Sequence, residues 1–259
     1  MNPSYAYMYD DFLADRKFER DIASLETTLS TLDISGRIGR LSLFRSAKDL
    51  VESMVKQGAK TIVIVGNDAT LDKTMWFLPD MDAIIGYLPL GPSAVAELLG
   101  IPSGTAACEV LSARRIETLD MGKLDDRYFL TEVGLPVTTA ALEIEGQYHV
   151  SPAEGGAIWI RNLGGRLDKT LVVADAKDGL LEAIVQPAQE KHSHSILRRV
   201  SDPLGTRVLF KNGKIVSSQP VEVWVDNHAI SNFQFTVSIV PNKLRIITGR
   251  SRKMVSAGV

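Results

Sequence analysis

One short stretch has the residue types and spacing for phosphate chemistry. The β-branched run Ile62–Val65 ends in Gly66-Asn67-Asp68-Ala69-Thr70 and passes into a helical pattern. A strand that stops at glycine and restarts as a helix aims backbone N–H groups at whatever lies above the turn, which is one way proteins hold phosphate. The competing reading is an ordinary strand-to-helix turn with Asp68 or Thr70 as a helix cap. Two other groups have some chemical potential. His192-Ser193-His194 places two imidazoles on one strand face for a metal, or lies in a solvated loop. Arg250, Arg252 and Lys253 meet anionic lipid head groups, or form a solvated basic tail.

The elements that must position these residues change character along the chain. The first third alternates strand and helix patterns. "SYAYMYD" reads as a strand, and Ile22, Leu25, Leu29 and Leu32 recur at helical spacing after it. "RIGRLSLF" is the next strand, Ser46 opens a capping box, and Gly58 sits where a helix-ending glycine belongs. Strand 61–65, helix 70–78, strand "AIIGYLP" and helix 93–99 follow, the last ending at Gly100. Strand–helix alternation predicts a parallel sheet with helices on its faces. Ligands of such sheets lie beyond the carboxyl ends of the strands, where Gly66–Thr70 and Leu90–Ser93 both fall. From about residue 116 only short strand patterns remain, predicting an antiparallel β-sandwich, with an Asn-Gly hairpin signal at Asn212-Gly213.

Composition narrows the rest. The chain has 259 residues, 45% hydrophobic and 23% charged, which suits one large or two ordinary soluble domains. A net charge of −2 gives no general attraction to nucleic acid. The single cysteine, Cys108, excludes an intrachain disulfide and fits a reducing, cytoplasmic setting. No apolar run is long enough to span a bilayer, so any lipid chemistry is expected from the water side, peripheral to the membrane.

Taken in order, these stretches resemble the diacylglycerol kinase catalytic-domain family of lipid kinases. The family's GGDGT falls on Gly66–Thr70, its PLGTGND with a following LGIP helix end on "YLPLGPSAVAELLGIP", and its D-x-G-x-x-N-G-x-x-F on "LDMGKLDDRYFLTEVGL". "ADAKDGLLEAIV" is similar to the DGLLDV segment, and "PVEVWVDN" to the strand carrying DGE. The segment "DGLLEAIV" and the DGE-like strand favour this branch over the NAD kinases, which share the GGDG idea.

The resemblance implies an α/β nucleotide-binding domain over residues 1–107, completed by 248–259, and a β-sandwich over 108–247. It implies ATP and Mg²⁺ as cofactors, a lipid hydroxyl as acceptor, and leaves a homodimer open. The residues implied to hold nucleotide are Gly66, Asn67, Asp68, Ala69 and Thr70 with Gly91 and Ser93. Asp68 is implied to support the metal network, Asp120 to face the cleft, and His228 to take the proton where the family has glutamate. Asp178, with the carbonyls of Asp175 and Leu180, matches a structural magnesium loop, and the bland alternative is an Asp-Gly turn.

Three departures bear on activity. Asn67 and Ala69 replace glycines, so if the turn needs positive φ, restoring glycine there is expected to strengthen nucleotide binding. Pro92-Ser93-Ala94 has lost the second loop's carboxylate, leaving the Ser93 hydroxyl or a plain N-cap. Asp226-Asn227 otherwise reads as a simple hairpin turn with His228 in solvent, the reading that the other losses favour. The alternative function is therefore a pseudokinase that binds nucleotide, lipid or a partner through the same cleft.

Overall fold

A computed structural model describes residues 4–42, 46–153, 155–167, 170–187, 205–226 and 228–253. His192-Ser193-His194 and Asn227 lie outside the described residues. The first half holds β1 (Tyr5–Tyr9), α1 (Glu19–Thr31), β2 (Arg37–Arg40), α2 (Ala47–Lys56) and β3 (Thr61–Gly66). It continues with α3 (Asp68–Met75), β4 (Ile84–Pro89), α4 (Ala94–Leu99) and α5 (Ala106–Ala113). Strands β2, β1, β3 and β4 lie side by side and parallel. Every residue of β1 and β3 is buried, as expected for a sheet covered on both faces. Helix α5 has no counterpart in the sequence reading. "AACEVLSA" buries only Ala107, Cys108 and Leu111, a short stripe that periodicity does not separate from a loop.

The remaining strands are β5 (Ile116–Leu124), β6 (Arg127–Phe129), β7 (Glu132–Leu135), β8 (Ala141–Ile144), β9 (Tyr148–Val150) and β10 (Ala157–Arg161). They are followed by β11 (Gly164–Leu167), β12 (Thr170–Val173), β13 (Leu181–Gln186), β14 (Thr206–Phe210), β15 (Asn212–Val225) and β16 (His228–Ile247). Apart from the β11–β12 pair, they extend the parallel strands into a 14-stranded sheet. Their inward side chains, among them Leu124, Phe129, Ile160, Val223 and Phe235, form a second apolar core separate from that of the α/β half.

Two long strands replace the shorter ones read from the sequence. Along β15 the register breaks between Val216 and Val221, around Pro220, which has no N–H for a ladder. The first part pairs with β8 and the second with β7, so one strand serves two partners. Asn212-Gly213 is consequently the start of β15 and not a β14–β15 hairpin, because β14 pairs with β13 on the far side of the sheet. Along β16 the break falls between Val240 and Leu244, beyond which Ile246 pairs in parallel with Ile85 of β4. This strand thereby joins the two cores. The residues after it return to the α/β half, where Gly249 N–H donates to the Leu99 carbonyl and Lys253 N–H to that of Leu98.

Candidate functional site

The turn after β3 is closed by its own side chains. Asn67 is the N-cap of α3, with its side-chain oxygen accepting from Thr70 N at 3.0 Å, while Thr70 Oγ1 accepts from Asn67 N at 3.1 Å. The helix therefore begins at Asp68, two residues before the predicted start. Asn67 has φ −131° and ψ −175°, ordinary extended backbone, and Ala69 lies within the helix. Neither has positive φ, so the expectation that glycine would relieve strain here does not hold. Gly66 does need to be glycine. A Cβ there would fall 2.2 Å from Thr70 Oγ1.

Asp68 projects from the first turn of α3 toward the second loop. One carboxylate oxygen accepts from Tyr87 Oη at 3.1 Å and from Ser93 Oγ, and the other accepts from Ala94 N at 2.9 Å. Ser93 Oγ in turn caps α4 by accepting from Ala96 N at 2.8 Å. Gly91, at φ +132°, shapes the turn before it, and its carbonyl accepts from Ser103 Oγ at 2.7 Å. The two predicted loops are thus brought together, with Asp68 as the link. Burial first, and then the Asp68 charge, push the Tyr87 hydroxyl above the ordinary phenol range. With three donors on its two oxygens, Asp68 ties the first turn of α3 to the start of α4. The Asp68 and Ala69 N–H groups, in the first turn of α3, remain suited to a phosphate oxygen.

A second carboxylate escaped the sequence reading. Asp10 follows β1 and has a side chain 1% exposed. It accepts from Thr70 Oγ1 and from Asp11 N, and both its oxygens are 3.2 Å from Lys73 Nζ. Burial works against its charge, yet these hydrogen bonds and the Lys73 ammonium hold its pKa below the usual aspartate range. The available signal was positional. Asp10 stands at the carboxyl end of a parallel strand, as the Gly66–Thr70 turn does.

His228 is exposed and opens β16, lining a recess of about 140 Å³ with Lys73, Trp76, Arg127 and Tyr128. Lys73 and Trp76 also border a neighbouring recess of about 290 Å³ that includes Asp10, Ser46 and Lys48. Two residues before the histidine, Asp226, at φ +49°, stands where β15 turns into β16. The Asp226 carboxylate accepts from Thr131 N at 3.1 Å, Glu132 N at 3.2 Å, Leu130 N at 3.4 Å and Thr131 Oγ1. Burial raises its pKa against the pull of those bonds. The predicted proton acceptor and the α3 face therefore share one cleft between the two halves.

Asp120, 2% exposed, acts as a backbone clamp. Its oxygens accept from Gly179 N at 2.8 Å and from Asn242 N at 2.7 Å, the latter at the break in β16. It thus ties β5 and the 175–180 loop to the strand joining the two cores. In that loop Asp178 accepts from Leu180 N at 2.9 Å and Asp175 from Lys177 N at 3.0 Å. Burial, and then the charges of Asp175 and Asp120, raise the Asp178 pKa. The Asp178 carboxylate and the carbonyls of Asp175 and Leu180 are hard oxygen donors, the kind that Mg²⁺ takes. No group of three or more His, Cys, Asp or Glu side chains among the described residues is arranged to hold a metal. In the basic tail, Arg252 pairs with Glu117 at 2.9 Å and Lys253 with Glu97 at 2.6 Å.

This arrangement of a parallel sheet, a strand-bridged β-half and a cleft between them has counterparts among solved structures. Three solved structures from Bacillus anthracis str. Sterne superpose along almost their whole length. One, named as a diacylglycerol kinase, gives a TM-score of 0.76 at 13% identity, covering 96% of this chain and 98% of its own. Two others, carrying that name provisionally, give TM-scores of 0.77 and 0.75 at 12% identity, covering 98% and 96% of this chain and 99% and 98% of their own. This chain has the diacylglycerol kinase fold. No family model matches the chain, and no curated protein matches it. At such identity the diacylglycerol kinase likeness is one of backbone, and the chemistry must be argued from the residues in the cleft.

Proposed function

We propose that this chain is a catalytically degenerate, diacylglycerol kinase-like protein that binds a nucleotide in the cleft between its halves without transferring its phosphoryl group. The observation that carries this reading is the engagement of Asp68. Its carboxylate fastens α3 to α4 through Tyr87, Ser93 and Ala94, and the neighbouring loop offers no second carboxylate. The first-turn N–H groups of α3 and the Lys73 ammonium would meet the phosphates, with Trp76 beside them. A structural Mg²⁺ would sit apart from this chemistry, on Asp178 and the carbonyls of Asp175 and Leu180.

One observation favours a second reading, phosphoryl transfer from ATP to a lipid hydroxyl. His228 lines the same recess as Lys73, where an imidazole would take the hydroxyl proton as the oxygen attacks the γ-phosphorus. Such a lipid would be met at a membrane surface, and two copies of the chain would act there as a homodimer. No helix among the described residues is long and apolar enough to cross a membrane. Calorimetric titration with ATP, with and without Mg²⁺, followed by radiolabel transfer to mixed lipid micelles, separates the readings. Binding without transfer supports the first; label in the lipid, lost on His228→Ala, establishes the second.

A further inference from the structure

A further cavity lies elsewhere, at the opposite end of α4 from Ser93. It has a volume of about 670 Å³ and lies between α4, α5 and the segment that follows β16. Small-molecule sites occupy roughly 300–1,000 Å³. We infer that this groove binds an apolar small molecule carrying one anionic head group, a site independent of the cleft and of any nucleotide.

The groove is a fixed feature of the fold. Gly100, at φ +69°, ends α4 and lets the chain after β16 cross against it. A Cβ on Gly100 would lie 2.4 Å from Arg252 N, and one on Gly249 would lie 1.8 Å from the Gly100 carbonyl oxygen. The Gly249–Leu99 and Lys253–Leu98 backbone hydrogen bonds, both 2.9 Å, hold the crossing in place.

Its surface is mostly apolar, with Ile101, Pro102, Val110 and Ala113 contributing. The charge at its edge is unbalanced, with Arg115, Arg250 and Lys253 set against Glu97 and Glu109. Lys253 is paired with Glu97. Arg115 and Arg250 are both exposed, and neither has an ion-pair partner among the described residues. Two unpaired guanidinium groups beside an apolar surface match a carboxylate or phosphate on an apolar body, since the planar fork of arginine binds such oxygens bidentately. Thr248 adds a polar mismatch at the same place. It lines the groove, is 1% exposed, and its hydroxyl has no hydrogen-bond partner.

The test is calorimetric titration of the full chain with sodium decanoate and decyl phosphate, and with decan-1-ol as the uncharged match. The expected result is one site that takes both anions at least tenfold more tightly than decanol. Arg115→Ala with Arg250→Ala should remove that tenfold advantage while leaving decanol binding unchanged. Ala113→Trp, at an exposed position of α5, should fill the groove and abolish binding of all three probes, with the melting curve confirming an intact fold. Whichever anion binds more tightly fixes the head group, and either supports the site. Absence of binding, equal affinity for anion and alcohol, or an unaffected Ala113→Trp variant would overturn the inference.

Discussion

Replacing Asp68 with alanine separates a structural carboxylate from a catalytic one. The side chain accepts from Tyr87 Oη, Ser93 Oγ and Ala94 N, joining the first turn of α3 to the start of α4. A hydrogen bond to a charged group contributes about 1.5–3 kcal/mol net. Ser93 retains its bond to Ala96 N and its hydroxyl can turn to another acceptor, so that loss falls at the low end. Tyr87 is 2% exposed, and its hydroxyl would be left without its carboxylate partner in a buried site. Together these give a loss of about 3 kcal/mol for Asp68→Ala. In a chain of this size that corresponds to a melting point lower by roughly 6–12 °C. Asp68→Asn keeps one acceptor oxygen for Ala94 N, and its amide can donate to a hydroxyl, so its cost should be about 1 kcal/mol. Thermal and urea melts followed by circular dichroism measure both. If Asp68→Ala melts with the parent protein while Mg²⁺-dependent ATP binding disappears, the carboxylate is a metal ligand and the capping account fails.

Other consequences can be checked with the same melts and simple labelling. Asn67→Gly with Ala69→Gly should lower stability by about 1 kcal/mol and leave nucleotide binding no tighter, because neither position has positive φ; tighter binding in calorimetry would count against the closed turn. Gly66→Ala should be far more damaging, about 3 kcal/mol, since its methyl must displace Thr70 Oγ1 from between Asn67 and Asp10. An unchanged urea midpoint would show that the turn relaxes. Cys108 is fully buried and its thiol is pushed up to about 11 by burial and the charge of Glu109, so a disulfide reagent at pH 8 should leave it unmodified until the protein is unfolded. Rapid modification of the native protein would contradict the packing of α5.

Asp10 adds a pH dependence with a definite sign. Its folded pKa is depressed, so its contribution is complete above the unfolded value near 4 and is lost as pH falls through the lower folded value. An Asp10→Asn variant should therefore show a weaker acid-side loss of stability than the parent. An identical acid limb would mean that Lys73 and Thr70 do not hold the charge.

Much of the architecture was legible in residue order alone. The all-buried runs Tyr5–Tyr9 and Thr61–Gly66, the Ser46 cap and the glycine after Leu99 are local signals, because hydrophobic periodicity and capping depend on neighbours a few residues away. The order of those signals also carried the resemblance that the solved structures support at the level of fold. What sequence could not decide was which partner each polar side chain would take. Asp68 reads equally as metal ligand or cap until Tyr87, Ser93 and Ala94 are placed around it. Asp10 and Lys73 lie 63 residues apart, and no periodicity links them. Nor does spacing reveal that β16 runs from His228 at the cleft to Ile247 in the parallel sheet, or that Asp120 clamps the break along it. Local pattern sets which elements form. The hydrogen-bond partners of a buried carboxylate are set by which segments the fold packs against it, and only the tertiary structure supplies that.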